Sequence, residues 1–144
     1  HLFFLPEVWR FSLDVDRNGL EKGWASADFD DSGWVQLSSY NFFERQGYPY
    51  DGRFWYRVRF DAPDFPGGKR IYLRIGSLDD EGDIYVNGEL AYERLHLDPN
   101  DWQASFAFEV TDLIRPGEKN VIAIHGDDQY GMGGLWNPCA LYTD

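Results

Sequence analysis

Acidic and amide side chains recur in short clusters along this 144-residue chain, and each cluster suggests a different chemistry. Residues 14–19 read DVDRNG, the opening half of an EF-hand calcium loop, with oxygen donors at loop positions one, three and five and glycine at six. The bidentate glutamate needed at position twelve is Ala25, and neither flank carries a helical apolar stripe, so an EF-hand is excluded. Asp14, Asp16 and Asn18 then form a turn that either clasps one structural calcium or caps itself. No other cofactor is required. Asp79, Asp80, Glu81 and Asp83, and the Asp127–Asp128 pair, supply carboxyl groups of the type glycoside hydrolysis uses. Adjacent acids more often make turns or a solvated edge, and catalysis by such a pair is not expected.

Other catalytic readings are weaker. No Gly-x-Ser-x-Gly occurs, and His96 and His125 have no nucleophile near them in the chain. His125 ends an apolar run and reads as a satisfied strand-end histidine. Cys139 reads as a small core residue, and GMGG precedes a strand instead of opening a phosphate-binding helix. The mixed polar and aromatic clusters suit binding better. Asp127, Asp128 and Gln129 stand beside Tyr130, and Glu93, Arg94, His96 and Asn100 stand near Trp102. A sugar ring stacks its C–H face on such aromatic planes while carboxylates, amides and guanidiniums bond its hydroxyls. Tyr48, Tyr50, Trp102, Tyr130 and Trp136 serve either this contact or the core.

The elements that position these groups are short strands. Runs at 8–14, 34–39, 53–62, 69–78, 83–87, 89–93, 104–110, 119–126 and 135–143 are bounded by Gly, Pro, Asn and Asp. Alternation sets Trp55, Arg57 and Arg59 against Phe54, Tyr56, Val58 and Phe60, and Ile71, Leu73 and Ile75 against Tyr72 and Arg74. Asn87-Gly88 predicts a two-residue hairpin. TDLIRPG predicts one helical turn capped by Thr111. Trp55, Tyr72, Tyr85 and Phe106 are expected in the core, with Trp9, Trp24 and Trp34 packing down the first long connection. The pattern predicts an all-β jelly-roll sandwich formed by residues 1–144 as one domain. If successive strands run antiparallel from residue 53, the loops 40–52, 79–82, 93–103 and 127–134 share one end. These are the long, aromatic and polar loops, and binding is expected there. Extended back to the first strand, the same alternation places DVDRNG at the opposite end.

Composition narrows the partners. A net charge of −12 disfavours nucleic acid and anionic membranes, and no apolar run reaches the eighteen residues of a membrane-spanning helix. One cysteine excludes an internal disulfide framework. The first residue is His1 and no signal peptide is visible, so the chain reads as a mature or excised piece. Aromatics make up 18% of the residues, an excess that supplies both a β core and exposed ligand platforms.

FDDSGWVQL, YDGRFWYRVRFDAP, DDEGDIYVNGELA, FEVTDLIRPGEKNVIAI and GGLWNPCAL occur in that order. Together they resemble the N-terminal sugar-binding domain of family 2 glycoside hydrolases, the β-galactosidase and β-glucuronidase group, over about residues 9–142. FFERQGYPYDGRFWYR is similar to versions attached to bacterial glycosidases. The resemblance implies a galactose-binding-like jelly roll without catalytic residues. It implies a carbohydrate partner, a catalytic glycosidase domain in the parent protein, a secreted, periplasmic or cell-surface location, and in some relatives a structural calcium. The chain departs from the usual pattern at Cys139, where an aliphatic residue is common, and in the insertion-like DDQYGM before GGLW. The expected function is a carbohydrate-binding module of a polysaccharide-degrading enzyme. The alternative is a purely structural accessory domain with no ligand of its own.

Overall fold

The computed structural model describes residues 2–79, 81–95, 103–128 and 133–144. Twelve strands are present among them: β1 (Leu2–Phe4), β2 (Val8–Leu13), β3 (Val35–Ser38), β4 (Gly52–Asp61), β5 (Ile71–Ile75), β6 (Ser77–Asp79), β7 (Glu81–Val86), β8 (Glu89–Arg94), β9 (Phe106–Glu109), β10 (Lys119–Asp128), β11 (Gly134–Asn137) and β12 (Ala140–Thr143). They form a four-stranded sheet, β1-β12-β5-β9, a six-stranded sheet, β3-β2-β4-β10-β7-β8, and a two-stranded piece, β11-β6. The expected β-sandwich is what the chain forms. Two expected strands are each broken in two. Gly76 interrupts β5–β6 where an added Cβ would lie 2.3 Å from the Pro138 carbonyl, and Pro138 with Asn137 separates β11 from β12.

The alternation in β4 assigns the two faces of the large sheet. Phe54, Tyr56, Val58 and Phe60 enter the sandwich core with Ile84 and Val86 of β7, Ile122 and Ile124 of β10, and Leu73 and Ile75 from the opposite sheet. Tyr56 and Phe54 meet Phe11 of β2, which also packs on Phe43 and Tyr48. Phe43 belongs to a 3-10 helix (Phe43–Gln46) that the sequence reading missed; Gly47 ends it at φ 101. Asn87-Gly88 is the expected hairpin turn, with both residues at positive φ. The Asn87 side chain also bonds the Leu113 carbonyl, Asn120 and the Val121 N–H. TDLIRPG is a hydrogen-bonded turn and not a helix. Its Thr111 hydroxyl accepts from the Ile71 N–H and donates to Glu109, so it ties two strands and caps nothing.

The outer face of the large sheet is covered by residues 14–34, a chain of tight turns with no ladder of its own. Trp55 lies beneath them and meets Trp24 edge-on at 6.2 Å, while Trp24 meets Trp34 at 5.0 Å. These tryptophans do pack the connection down. Trp55 is buried here, on the outer face, while Trp9 is in the sandwich core, edge-on to Tyr56. Tyr72 stacks on Tyr142, and Tyr85 stacks on Trp55, both half-buried.

Arg57 fastens this covering segment. Its side chain is 0% exposed; Nε donates to Asp31, Nη1 to the Trp24 and Ser26 carbonyls and Nη2 to the Phe29 carbonyl. Asp14 fastens the first turn: its carboxylate accepts N–H bonds from Asn18, Gly19 and the Trp55 indole. His125 lies flat on Trp55, 4.3 Å between rings, with Nε2 3.8 Å from Asp14 Oδ2 and no hydrogen-bond partner. It is therefore not the satisfied strand-end histidine expected from sequence. Burial holds its pKa below the ordinary value, helped by Arg53 and opposed by Asp14 and Asp127.

Arg57→Ala leaves Asp31 buried beside four lost donors, and the unfolding free energy in a urea titration is expected to fall by about 3–5 kcal/mol. The pH dependence has a defined sign. A buried neutral His125 takes up a proton on unfolding, so its contribution to stability is complete above its ordinary pKa of 6.5. That contribution is lost as pH falls below 6.5, by at most about 1.4 kcal/mol per pH unit. Melting temperatures compared between pH 7.5 and 5 should fall more for the unaltered chain than for His125→Gln. Parallel profiles would show that His125 is not buried neutral.

Candidate functional site

The start of β4 and the end of β10 pair as Gly52 with Asp128 and Arg53 with Asp127, and Glu81 of β7 pairs with Asp127. This confirms the common end predicted for loops 79–82 and 127–134; the 40–52 segment only finishes there and starts at the other end, because β3 pairs antiparallel with β2, Val8 against Ser38, and so runs parallel to β4. Gly82 pairs with Arg94, so the 93–103 loop leaves from the same end. The 14–19 turn is there too, which corrects the sequence expectation. β2 pairs antiparallel with β4, Leu13 against Phe54, and the Asp14 N–H bonds the Arg53 carbonyl. The alternation argument failed because β3 pairs outside β2 and does not separate it from β4.

Two clefts share this end. One, of about 400 Å³, is lined by Val15, Arg17, Tyr50, Asp51, Gly52, Arg53, Asp127 and Asp128. The other, of about 180 Å³, lies on the open part of the outer sheet face. Strand register sets its floor: Trp55, His125, Asp83 and Glu93 form one row across β4, β10, β7 and β8, and Arg53, Asp127 and Glu81 form the next. Arg53 and Asp127 line both clefts. Burial raises the pKa of Asp83, with Glu93 adding to it and Arg53 opposing. Burial likewise raises Tyr85, next to Asp83 and Glu93. Asp83 and His125 thus stand side by side in a place whose burial favours the uncharged form of each.

The structure distributes the sequence-predicted site residues unequally. Tyr50, Asp127 and Asp128 come together in the larger cleft, although Asp128 itself is wholly buried. Arg94 reaches the smaller cleft from β8, buried over the Phe106 ring, with Nη1 bonding the Leu95 carbonyl. Glu93 is exposed beside it, in a surface groove with Tyr92 and Phe106. Tyr48 packs on Phe11 and belongs with the core. Trp136 does not line either cleft; it is half-buried and stacks on Phe42 at 5.2 Å, with Arg45 over the far ring. Gln129, Tyr130 and Trp102, like His96 and Asn100, lie outside the described residues. The reading from sequence missed Arg17, Asp51 and Arg53. Alternation places Arg53 on the face of Trp55 and Arg57, and that signal could have found it.

The metal reading is altered in the same way. Both Asp14 oxygens accept N–H bonds, so this carboxylate serves as a loop clasp, while Asp16 is exposed. Glu44, Asp51 and Asp128 instead offer carboxylate oxygens within 4.8 Å of one another, a spacing that a hard cation with oxygen ligands could bridge. The Cys139 thiol is pushed up to about 12 by burial, as befits a core residue and not a nucleophile.

No protein-family model matches the chain. It is 31% identical over 81 residues to a β-glucuronidase of Formosa agariphila, a match covering 56% of this chain and 8% of that protein. It is 26% identical over 111 residues to a β-galactosidase of Thermoanaerobacter pseudethanolicus, covering 71% of this chain and 14% of that one. The chain therefore spans a small fraction of the length of the curated relatives it matches. Among solved structures, the β-glucuronidase of Ruminococcus gnavus superposes with a TM-score of 0.86 at 18% identity, over 99% of this chain and 28% of that one. The same enzyme in complex with D-glucuronic acid superposes with the same score. The chain is thus an all-β sandwich with the fold of part of a β-glucuronidase, and in sequence it is similar to parts of β-glucuronidases and a β-galactosidase, the enzymes of glycoside hydrolase family 2.

Proposed function

We propose that the chain is a non-catalytic accessory domain of a bacterial polysaccharide-degrading glycosidase and binds a mono- or oligosaccharide at the loop end of its sandwich. The observation that carries this reading is the larger cleft, where the Tyr50 ring borders Arg53, Asp51 and Asp127. A guanidinium donates to hydroxyl oxygens, carboxylates accept from hydroxyl protons, and a tyrosine face receives the C–H side of a pyranose. The relatives' names support the context, since each is a glycosidase of which this chain matches only a part. Affinity is expected to be weak, because displacing water from sugar hydroxyls offsets much of what the contacts contribute.

A second reading has its own observation. Leu2 and Phe4 on β1 and Val8 at the start of β2 are 63%, 60% and 49% exposed, an apolar surface suited to packing against another part of a larger glycosidase. In that reading the domain is structural and has no ligand.

A glycan array on the chain, read with and without calcium, separates the two. The first predicts retained glycans, with Arg53→Ala and Asp127→Ala each lowering retention about tenfold or more at an unchanged urea midpoint. Trp136→Ala probes the separate Phe42–Trp136 surface in the same assay. A blank array with a folded chain favours the structural reading.

A further inference from the structure

The turn at residues 14–19 and the larger cleft meet at Arg17. Val15 and Arg17 provide one wall of the cleft, facing a lining drawn from 50–53 and 127–128. Arg17 is held at φ 58, in the left-handed region. The other non-glycine residue at positive φ among the described residues is Asn87, in its hairpin, where asparagine is at ease. An arginine has no such local compensation. Backbone strain of this sort persists only where the surroundings impose it.

Here the surroundings are specific. The Arg17 N–H bonds the Asp14 carbonyl, and the Asp14 carboxylate takes the Asn18 and Gly19 N–H groups and the Trp55 indole. Gly19 admits no side chain: a Cβ there would lie 2.5 Å from Trp24, 2.6 Å from the Trp55 indole nitrogen and 2.8 Å from Asp14. The turn is thus locked to the sheet on both sides of an exposed arginine. That side chain makes no hydrogen bond or ion pair among the described residues, so nothing in the fold uses it.

We infer that Arg17 is a ligand-gripping residue of this cleft, and that the ligand is a neutral, hydroxyl-rich sugar. The inference rests on the sugar-binding reading above. Two guanidiniums, of Arg17 and Arg53, share the cleft with the carboxylates of Asp51, Asp127 and Asp128, and Glu44 stands within 4.8 Å of Asp51 and Asp128. Negative groups are in excess, in a chain of net charge −12, and an anionic sugar would be repelled. Hydroxyls can accept from the guanidiniums and donate to the carboxylates at once.

The test is binding of the chain to neutral β-linked glucose and galactose oligosaccharides and to their uronate counterparts. Neutral sugars should be retained and uronates not. Arg17→Gly and Arg17→Asn both relieve the strain at φ 58, and each should weaken binding on the order of tenfold with the melting temperature unchanged or raised. If both variants are folded and bind as the unaltered chain does, Arg17 is not a gripping residue, and the sugar-binding reading stands without it. Preference for the uronates overturns the neutral ligand class alone. If the unaltered chain retains none of the panel, the sugar-binding reading fails, and this inference with it.

Discussion

The buried guanidinium of Arg57 is the constraint on which the rest depends. A sheet face that is not covered by a second sheet must be covered by something else or stay polar. Residues 14–34 cover it, but as irregular turns they bring backbone carbonyls that no ladder satisfies. A guanidinium has five N–H donors in a rigid fork, and here it takes Asp31 and the carbonyls of Trp24, Ser26 and Phe29 in one place. Arg59, one alternation further along β4, bonds Ala27 and Phe29 from the rim. The covering segment is held by polar bonds from below as well as by the packing of its tryptophans.

Where that cover stops, the proposed binding surface begins. Trp55 is the last residue of β4 to lie fully under it, and its indole is bonded by Asp14 and faced by His125. Beyond it, Asp83, Glu81, Arg53 and Asp127 stand on the open face. The two clefts therefore follow from one arrangement: a turn folded back over half of a sheet, leaving the other half and the sheet's end exposed. Fold and site are not separable here, because the clasp of the turn by Asp14 is also what shapes a cleft wall.

Much of this was legible from residue order, and the failures have a common cause. Alternation in β4 and β5 assigned Phe54, Tyr56, Val58, Phe60, Ile71, Leu73 and Ile75 to one apolar face because period-two patterning is local, but Trp55 and Tyr72, expected in the core, lie on the opposite faces. Asn87-Gly88 fixed its hairpin for the same local reason. The common end of the 79–82, 93–103 and 127–134 loops followed from the antiparallel run of strands after residue 53, whereas 40–52 crosses from one end to the other because β3 runs parallel to β4. The position of DVDRNG did not, because it depends on β2 entering the sheet beside β4 with β3 outside it, a long-range choice with no local signature. Tyr48 and Tyr50 show the same limit within two positions: both are half-buried against the core, and only Tyr50 also borders the cleft. β1 was missed because a three-residue strand depends entirely on its partner, β12.

The two-sided anchoring of the 14–19 turn carries a consequence for how such a domain diversifies. Asp14 fixes one end and Asn18-Gly19 the other, while Val15, Asp16 and Arg17 between them are exposed. Those three side chains can be exchanged without unfastening the turn, provided the third tolerates its backbone angle. The arrangement separates frame from content, as in a recognition loop mounted on a rigid scaffold. Descendants of this sequence could acquire new ligands through three adjacent codons while Asp14, Gly19 and Trp55 keep the cleft's outline constant.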